Sequence, residues 1–278
     1  MRLEFDKVSV SFHSGNGNVE AVRDISFTAE DEVVVLLGPS GCGKTTLQRV
    51  VAGLTDPSTG IIAMEPEDNA YGLVPQDHQL LPWRSVYENI AVGLELSGVS
   101  RDKQSEIVHQ LIQQLGLQGF EKSLPHELSG GMRQRVALGR AFAPSPSLLL
   151  LDEPFNALDA VTRQNLQGQL RQLCQANRPL VLMATHDIEE ALILGDLIVV
   201  LSPRPGRIID MIRVPPDQPR DAEYRRSDEF LKYRYGIEDL LTGEHKIEGM
   251  PNPWNGQTRV LGDQGELNIT QSTGRERG

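Results

Sequence analysis

The sequence lacks features that mark several classes of protein. It contains only two cysteines among 278 residues, Cys42 and Cys174, with no CxxC pair and no cluster of cysteine and histidine. It therefore offers neither a disulfide framework nor a zinc site, and it fits a reducing, cytosolic compartment. No apolar run approaches the roughly 20 residues that a membrane-spanning helix needs, and no secretory signal is visible at the N-terminus. We therefore expect a chain that does not cross a bilayer by itself.

Positive charge is also scarce. The chain has 27 Lys and Arg against 38 Asp and Glu, which gives a formal net charge of −11. A general nucleic-acid-binding domain normally carries a basic surface, so the composition argues against that class, although it leaves room for a local basic patch. Hydrophobic residues make up 39% of the chain, which is enough for a core in one large domain with or without an appendage.

Short apolar runs alternate with helical patterns along most of the chain. The runs at Val33–Leu37 and Leu148–Leu151 are typical of strands buried on both faces, and Leu180–Thr185 and Leu197–Ser202 continue the series. This alternation predicts an α/β fold with a mainly parallel sheet. A helical block from about 85 to 140 interrupts it and predicts an inserted helical subdomain. After residue 215 we predict a C-terminal extension over 216–278, with a helix at 228–241 and a flexible tail, or one ordered only against a partner.

A glycine-rich segment follows the first buried run. Residues 38–45, GPSGCGKT, match the pattern G-x-x-x-x-G-K-[ST] in full and lead into a helical pattern. Glycines let backbone N–H groups converge on phosphate oxygens, and the helix adds its positive N-terminal end. A glycine-rich turn without a ligand is the alternative, which the strand–turn–helix context disfavours. The predicted nucleotide-phosphate residues are Gly38, Pro39, Ser40, Gly41, Cys42, Gly43, Lys44, Thr45 and Thr46.

Two adjacent carboxylates, Asp152 and Glu153, end the second buried run. Asp152 suits Mg²⁺, usually through water, and Glu153 suits polarising the water that attacks a phosphate. Phosphoryl transfer needs mainly positioning and charge neutralisation, so these few groups suffice. An ordinary strand end with solvated acids is the alternative, and the phosphate-binding pattern favours the functional interpretation.

Residues 128–141, LSGGMRQRVALGRA, resemble the signature of ABC-type ATPases. The serine and glycines open a helix whose N-terminus can meet a phosphate. The resemblance implies a P-loop NTPase fold over residues 1–215, with a RecA-like core, an antiparallel β subdomain and the inserted helical subdomain. It also implies that Ser129, Gly130, Gly131 and Met132 act across a dimer interface, on ATP held by the P-loop of a second subunit.

The same resemblance assigns roles to further residues. Gln76 is similar to the Q-loop glutamine, which touches Mg²⁺ and senses the membrane partner, and Asp159 is similar to the D-loop aspartate at the dimer interface. His186 resembles the switch histidine that contacts the γ-phosphate. Phe12 resembles the aromatic residue that stacks on adenine, with a core residue at a strand end as the alternative. The implied catalytic residues are Glu153, His186 and Gln76, and the implied Mg²⁺ ligands are Thr45, Gln76 and Asp152.

Two segments narrow the resemblance. LLPW at 80–83 and LSPRPGR at 201–207 are most similar to the nitrate/sulfonate/taurine/bicarbonate importer ATPases. This implies a peripheral subunit at the cytoplasmic face of the bacterial inner membrane, which uses ATP and Mg²⁺ to drive uptake of a small anion-type solute. The implied partners are membrane permease subunits, a second identical or paralogous ATPase subunit and, indirectly, a solute-binding protein. Residues 80–83 would receive the permease, with local packing as the alternative, and the short segment 61–75 implies a trimmed hairpin.

Other functions stay open at this stage. A soluble ABC ATPase acting on ribosomes or DNA usually carries two cassettes or a long coiled-coil insertion, whereas this chain has one P-loop, one signature and an acidic balance. We therefore expect no nucleic-acid partner. A nucleotide-dependent regulatory subunit is another alternative, and so is an exporter half, whose membrane spans would normally be fused to it. The sequence does not specify the solute, because that specificity lies in the membrane and capture subunits.

Overall fold

The computed structural model describes residues 1–14, 17–66, 71–156, 158–215, 220–221, 223–242, 258–261 and 267–270. The strands are β1 (Arg2–Ser14), β2 (Gly17–Glu30), β3 (Val33–Leu37), β4 (Thr59–Glu65), β5 (Tyr71–Val74), β6 (Leu148–Asp152), β7 (Leu180–Thr185), β8 (Leu197–Leu201), β9 (Ile208–Arg213), β10 (Thr258–Leu261) and β11 (Leu267–Thr270). The helices are α1 (Lys44–Val51), α2 (Val86–Leu96), α3 (Arg101–Gln114), α4 (Gly130–Phe142), α5 (Ala160–Asn177), α6 (Ile188–Leu194) and α7 (Asp228–Thr242). Backbone contacts divide the chain into a first unit, residues 1–2 and 64–183, and a second unit, residues 3–63 and 184–278.

The first unit combines short parallel strands with the helical block. β5 and β6 pair in parallel, with Tyr71 opposite Leu148, and every residue of β6 is buried. Helices α2, α3 and α4 pack on one another, as the block predicted from 85 to 140 requires. Helix α4 passes close to β5: a Cβ on Gly72 would stand 2.5 Å from the backbone oxygen of Ala141. Only glycine fits there, because a side chain would push the helix off the strand.

Local signals in the sequence explain where the helices begin and end. α2 starts with a capping box, in which Ser85 Oγ accepts from the N–H of Glu88 and Glu88 Oε2 accepts from the N–H of Ser85. This reciprocal pair satisfies two backbone donors that the first helical turn leaves without partners. Gly98, with φ of 69°, separates α2 from α3.

The second unit contains the strand that leads into the glycine-rich segment. β3 and β8 pair in parallel, and their residues from Val34 to Leu37 and from Ile198 to Leu201 are fully buried. On its other edge, β8 pairs with β9 in the antiparallel direction. A separate three-stranded sheet has the order β2-β1-β4 and occupies the place predicted for the β subdomain.

Some elements were not predicted from the sequence. β5 has four residues including a glycine, and β9 carries Asp210 among its apolar residues, so neither shows a clear strand pattern. β10 and β11 lie in the segment predicted to be a flexible tail, where β10 pairs in parallel with β9 and antiparallel with β11. Backbone pairing at a sheet edge needs few large apolar side chains, which is why composition did not reveal these strands. Among the described residues, no helix has both the length and the apolar character that crossing a bilayer requires.

Candidate functional site

The glycine-rich segment forms a tight turn between β3 and α1. Gly41 and Gly43 have φ of 77° and 105°, in the left-handed region that favours glycine. A Cβ on Gly38 would stand 2.9 Å from Cys42 Sγ, and one on Gly43 would overlap the side chain of Val22. The turn therefore requires glycine at these positions, and a glycine-rich turn of this kind can act as a cradle in which backbone N–H groups meet phosphate oxygens.

Lys44 supplies the positive charge of this cradle. The side chain is 5% exposed, and its Nζ donates to the backbone oxygens of Gly38 at 2.8 Å and Pro39 at 3.1 Å. Helix α1 starts at the same residue, and no side chain caps it. The first backbone N–H groups of the helix therefore direct their partial positive charge toward the turn. An ammonium group and a helix N-terminus together favour a polyphosphate.

A second loop, residues 202–207, supports the turn. Arg204 Nε donates to the backbone oxygen of Gly41 at 3.1 Å, and a Cβ on Gly206 would overlap the backbone oxygen of Cys42. The N–H of Gly206 also donates to the backbone oxygen of Ala21 at 2.9 Å. The importer-like string at 201–207 thus lies against the P-loop. Sequence reasoning singled out the string but gave Arg204 no role, because its contact is to a backbone oxygen.

His186 lies directly after β7 and is exposed. The backbone oxygen of Thr185 accepts from the N–H of Gly38 at 3.4 Å, which connects this residue to the P-loop. The Thr185 hydroxyl donates to Glu190 Oε2 at 2.6 Å and accepts from the N–H of Asp187 at 3.1 Å. The peptide that carries His186 is therefore held on both sides.

Phe12, on β1, is 42% exposed. This exposure contradicts the alternative of a core residue at a strand end. An exposed aromatic ring is able to stack on a flat ligand such as a base. The neighbouring His13 places its Nδ1 2.5 Å from Asn18 Oδ1.

In the first unit, Glu153 lies at the centre of a polar cluster. Its Oε2 accepts from Asn156 Nδ2 at 3.1 Å and lies 3.5 Å from Gln76 Nε2. Its backbone has φ of 46°, a conformation that costs a non-glycine residue free energy and that is frequent at active sites. The preceding Asp152 is 8% exposed. The structure thus brings Gln76 and Glu153 together, and it places Asn156, the first residue of the segment 156–159 that resembles the D-loop, beside Glu153.

The starts of α4 and α5 meet in the same unit. Ser129 Oγ accepts from the N–H of Met132 at 3.2 Å, which caps α4. Asp159 Oδ1 accepts from the N–H of Thr162 at 3.0 Å, which caps α5, and the hydrogen bonds from the Thr162 side chain and backbone lower the pKa of Asp159. A Cβ on Gly131 would stand 2.7 Å from Thr162 Cγ2. The predicted signature and D-loop residues are therefore neighbours.

Arg140 joins α4 to the segment that follows Gln76. Its guanidinium donates to the backbone oxygens of His78 at 2.8 Å and Gln79 at 2.7 Å, two residues with φ of 60° and 44°. Burial lowers the pKa of Arg140. Sequence reasoning missed this residue. The only available signal was a cation within the buried apolar part of α4.

The segment at 80–83 presents an apolar surface. Asn89 is fully buried and holds this segment in place by two hydrogen bonds. Its Oδ1 accepts from the N–H of Leu81 at 2.8 Å, and its Nδ2 donates to the backbone oxygen of Leu81 at 3.1 Å. Trp83 is left 73% exposed. An exposed tryptophan on a fixed loop is suited to contact another molecule.

Sequence and structure comparisons give consistent results. The family model described as ABC transporter matches residues 22–156. An uncharacterized ABC transporter ATP-binding protein of Methanocaldococcus jannaschii is 40% identical over 250 residues, which cover 88% of this chain and 92% of that protein. The taurine import ATP-binding protein TauB of Escherichia coli K12 is 46% identical over 202 residues, 70% of this chain and 79% of that protein.

Solved structures resemble the chain as well. A dimeric bacterial ABC transporter cassette aligns with a TM-score of 0.64 at 27% identity, over 71% of this chain and 93% of that one. A dimeric ATP-binding cassette in a post-hydrolysis state, bound to ADP and phosphate, aligns with a TM-score of 0.65 at 26% identity, over 74% of this chain and 98% of that one.

Proposed function

This chain belongs to the family of ABC transporter ATP-binding proteins and is an ABC-type ATPase, and we propose that it powers the import of a small anion-type solute through a separate membrane permease. The observation that carries the importer assignment is the 46% identity to a taurine import ATP-binding protein. The solute class that fits is a sulfonate such as taurine, or nitrate, bicarbonate or a similar anion. The chain acts from the cytoplasmic face of the bacterial inner membrane.

ATP occupies the turn at residues 38–46 in this proposal. Lys44 exchanges its bonds to the backbone oxygens of Gly38 and Pro39 for bonds to phosphate oxygens. The exposed ring of Phe12 receives the adenine. Stacking of a base on an aromatic ring needs no specific hydrogen bond, so a phenylalanine side chain can supply it.

The residues proposed to hold Mg²⁺ are Thr45, Gln76 and Asp152. Their hydroxyl, amide and carboxylate oxygens are the donors that this hard cation prefers. Thr45 is exposed at the first turn of α1, and Asp152 ends a fully buried strand with little exposure of its own. When bound, the ion supplies neutralisation of the charge that develops on the phosphates.

Hydrolysis depends on Glu153 and His186. Glu153 polarises the attacking water, while Gln76 and Asn156 orient its carboxylate through Oε2. His186 contacts the terminal phosphate and is kept near the P-loop by the bond between Thr185 and Gly38. These groups position the reactants and stabilise charge, which is most of what phosphoryl transfer requires of a protein.

A second subunit completes each nucleotide site. Ser129–Met132 of one subunit contact ATP on residues 38–46 of the other, with the N-terminus of α4 directed at the phosphate. Asp159 lies at the same interface. The likeness to dimeric cassettes supports this arrangement, and so does the proximity of Gly131 to Thr162 in one subunit. Closure of the pair moves the permease subunits, and a solute-binding protein delivers the solute to them.

The link to the permease runs through the segment at 80–83. Trp83 offers the exposed contact, and Arg140 fixes the loop after Gln76 to α4. A movement of this loop therefore reaches both Gln76, which lies beside Glu153, and helix α4, which Ser129 caps. This is how transport and hydrolysis are coupled in the proposal.

Purification from solubilised membranes tests the function. A tagged chain should retain a multi-spanning permease in detergent, and deletion of its gene should abolish ATP-dependent uptake of a radiolabelled anion from the set of taurine, other sulfonates, nitrate and bicarbonate. Retention of ribosomes or DNA in place of a permease, with uptake of every tested anion unchanged, would contradict the proposal.

A further inference from the structure

The C-terminal extension packs along α6, the helix that follows His186. Helices α6 and α7 are in contact, and Phe230, Tyr233 and Ile237 of α7 are buried. The rings of Tyr224 and Phe230 meet edge to face with centroids 5.2 Å apart. The extension therefore has an apolar face of its own, which packs on the rest of the second unit.

The C-terminal end of α6 is held by Arg220. Its side chain is 2% exposed. Its Nη1 donates to the backbone oxygens of Leu192, Ile193 and Gly195, the last at 2.7 Å, and its Nη2 lies 3.4 Å from Asp196 Oδ1. The last carbonyl groups of a helix have no partners within the helix, and a cation at this end is favourable. Arg220 satisfies these groups from outside the ATPase domain predicted for residues 1–215.

The N-terminal end of α6 carries three acidic residues directly after His186. Arg225 is half-buried in the turn before α7: burial lowers the pKa of Arg225, and the negative charges of Glu189, Asp187 and Glu190 oppose that effect. Nη1 of Arg234 also lies 3.8 Å from Glu189 Oε1. The extension thus contributes cations at both ends of a seven-residue helix.

Glu190 connects these cations to the switch residue. Its carboxylate is 5% exposed and accepts from the Thr185 hydroxyl, which in turn accepts from the N–H of Asp187. Burying a carboxylate costs less free energy when hydrogen bonds and a nearby positive charge compensate for its loss of water. Arg225, on whose pKa the charge of Glu190 acts, and Arg234, which lies 3.8 Å from Glu189, both belong to the extension, so the geometry on both sides of His186 is linked to it.

We propose that residues 220–221 and 223–242 form a brace for α6, in which Arg220 and Arg225 are positioning residues that hold His186 ready for hydrolysis. The brace rests on the role given to His186 in the proposed function. It assigns the extension a part in ATP turnover and none in ATP binding.

Substitutions at adjacent positions test the brace in the full chain. Arg225→Ala removes the compensating charge, Arg225→Lys keeps it, and Arg226→Ala is the matched control, since Arg226 is exposed in the same turn. We expect Arg225→Ala to lower kcat about tenfold with KM for ATP within about twofold, because coupling between residues in one network is of this size. Arg225→Lys should recover most of the rate, and Arg226→Ala should match the wild type.

A spectroscopic readout separates positioning from general loss of structure. The imidazole resonances of His186 in ¹H–¹³C spectra, assigned with His186→Asn, should shift or broaden in Arg225→Ala and in Arg220→Lys. They should stay in place in Arg226→Ala. If Arg225→Ala does not fold, Arg225→Gln replaces it, since it keeps length and hydrogen bonding without charge. Normal kcat together with an unmoved His186 resonance in the folded variant would overturn the brace.

A double substitution shows which hypothesis fails if the results disagree. Arg225→Ala should add no further loss to His186→Ala, because the arginine acts through the histidine. A His186→Ala enzyme with normal turnover would remove the role of His186 and the proposed mechanism with it. A large additional loss in the double variant would overturn the brace and leave His186 in its role.

Discussion

Gln76 Nε2 lies 3.5 Å from Glu153 Oε2, the oxygen that also accepts from Asn156 Nδ2. The loop that faces the proposed permease contact therefore reaches the carboxylate proposed to activate water. Only a few residues separate Gln76 from the exposed Trp83. A displacement of this loop at the proposed permease contact would therefore move Gln76, and with it the hydrogen bonding of Glu153, directly.

Gln76→Leu removes this amide while it keeps the size of the side chain. We expect kcat to fall roughly 10- to 100-fold, the effect of losing one hydrogen bond to a charged group, with little change in ATP affinity. Phosphate release and titration with a fluorescent nucleotide measure the two quantities. Gln79→Leu, an exposed position in the same loop, serves as the control, and an unchanged kcat in Gln76→Leu would contradict the role of the amide.

Ser129 carries two roles that substitutions can separate. Ser129→Ala removes the cap of α4 and should lower the free energy of unfolding by about 1 kcal/mol. Ser129→Asp keeps a good capping group but places a negative charge where a phosphate of the second subunit is expected, so it should fold with near wild-type stability and lose hydrolysis. Thermal melting and ATPase assays distinguish the two effects. An active Ser129→Asp enzyme would rule out the phosphate contact.

The pKa of Asp159 is lowered, so this carboxylate affects stability in acid. A depressed pKa in the folded state stabilises the fold above the unfolded pKa, and this contribution is lost as pH falls through the folded pKa. Asp159→Asn keeps a capping side chain that does not titrate, so its stability should fall less steeply than wild type below about pH 4. Urea midpoints between acidic and neutral pH measure this, and parallel curves would contradict the prediction.

Tyr224 is expected to limit stability in alkali. Burial raises the pKa of Tyr224 to about 12, and its buried hydroxyl has no hydrogen-bond partner among the described residues. The unfolded chain ionises first, so the wild type should lose stability as pH rises above about 10. Tyr224→Phe should remove that part of the loss and raise the free energy of unfolding at neutral pH by about 1 kcal/mol, because an unpaired polar group leaves the interior. A destabilised Tyr224→Phe protein would show that the hydroxyl has a partner.

The sequence predicted the parts of the molecule that local patterns encode. Fully buried strands such as β6 appear in the sequence as apolar runs. The P-loop needs glycine at positions where a Cβ would collide, so it too can be recognised from the sequence. The cap residues Ser129 and Asp159 are also local, since each bonds a backbone group three residues away. These features could be identified without knowing how the chain folds back.

Contacts between distant segments could not be predicted in this way. Arg140, Arg204 and Arg220 all bind backbone oxygens, and a backbone oxygen has the same chemistry at every position. No residue type or spacing in the sequence indicates which backbone oxygen an arginine side chain will bind. The sequence predicted a helix at 228–241 and a flexible tail after it, but nothing in the charged segment before the helix indicated that Arg220 is nearly fully buried against α6.

Glu153→Gln tests most directly whether a closed pair of subunits hydrolyses ATP with Glu153 as the group that polarises the water. The variant, with Mg²⁺ and ATP, is followed by light scattering for molar mass and by phosphate release for turnover. We predict a shift from the 30.7 kDa of one chain to twice that mass, with ATP retained and turnover reduced at least ~100-fold, as expected for loss of a general base. A variant that hydrolyses ATP at the wild-type rate and keeps the mass of one chain would contradict both the role of Glu153 and the closed pair.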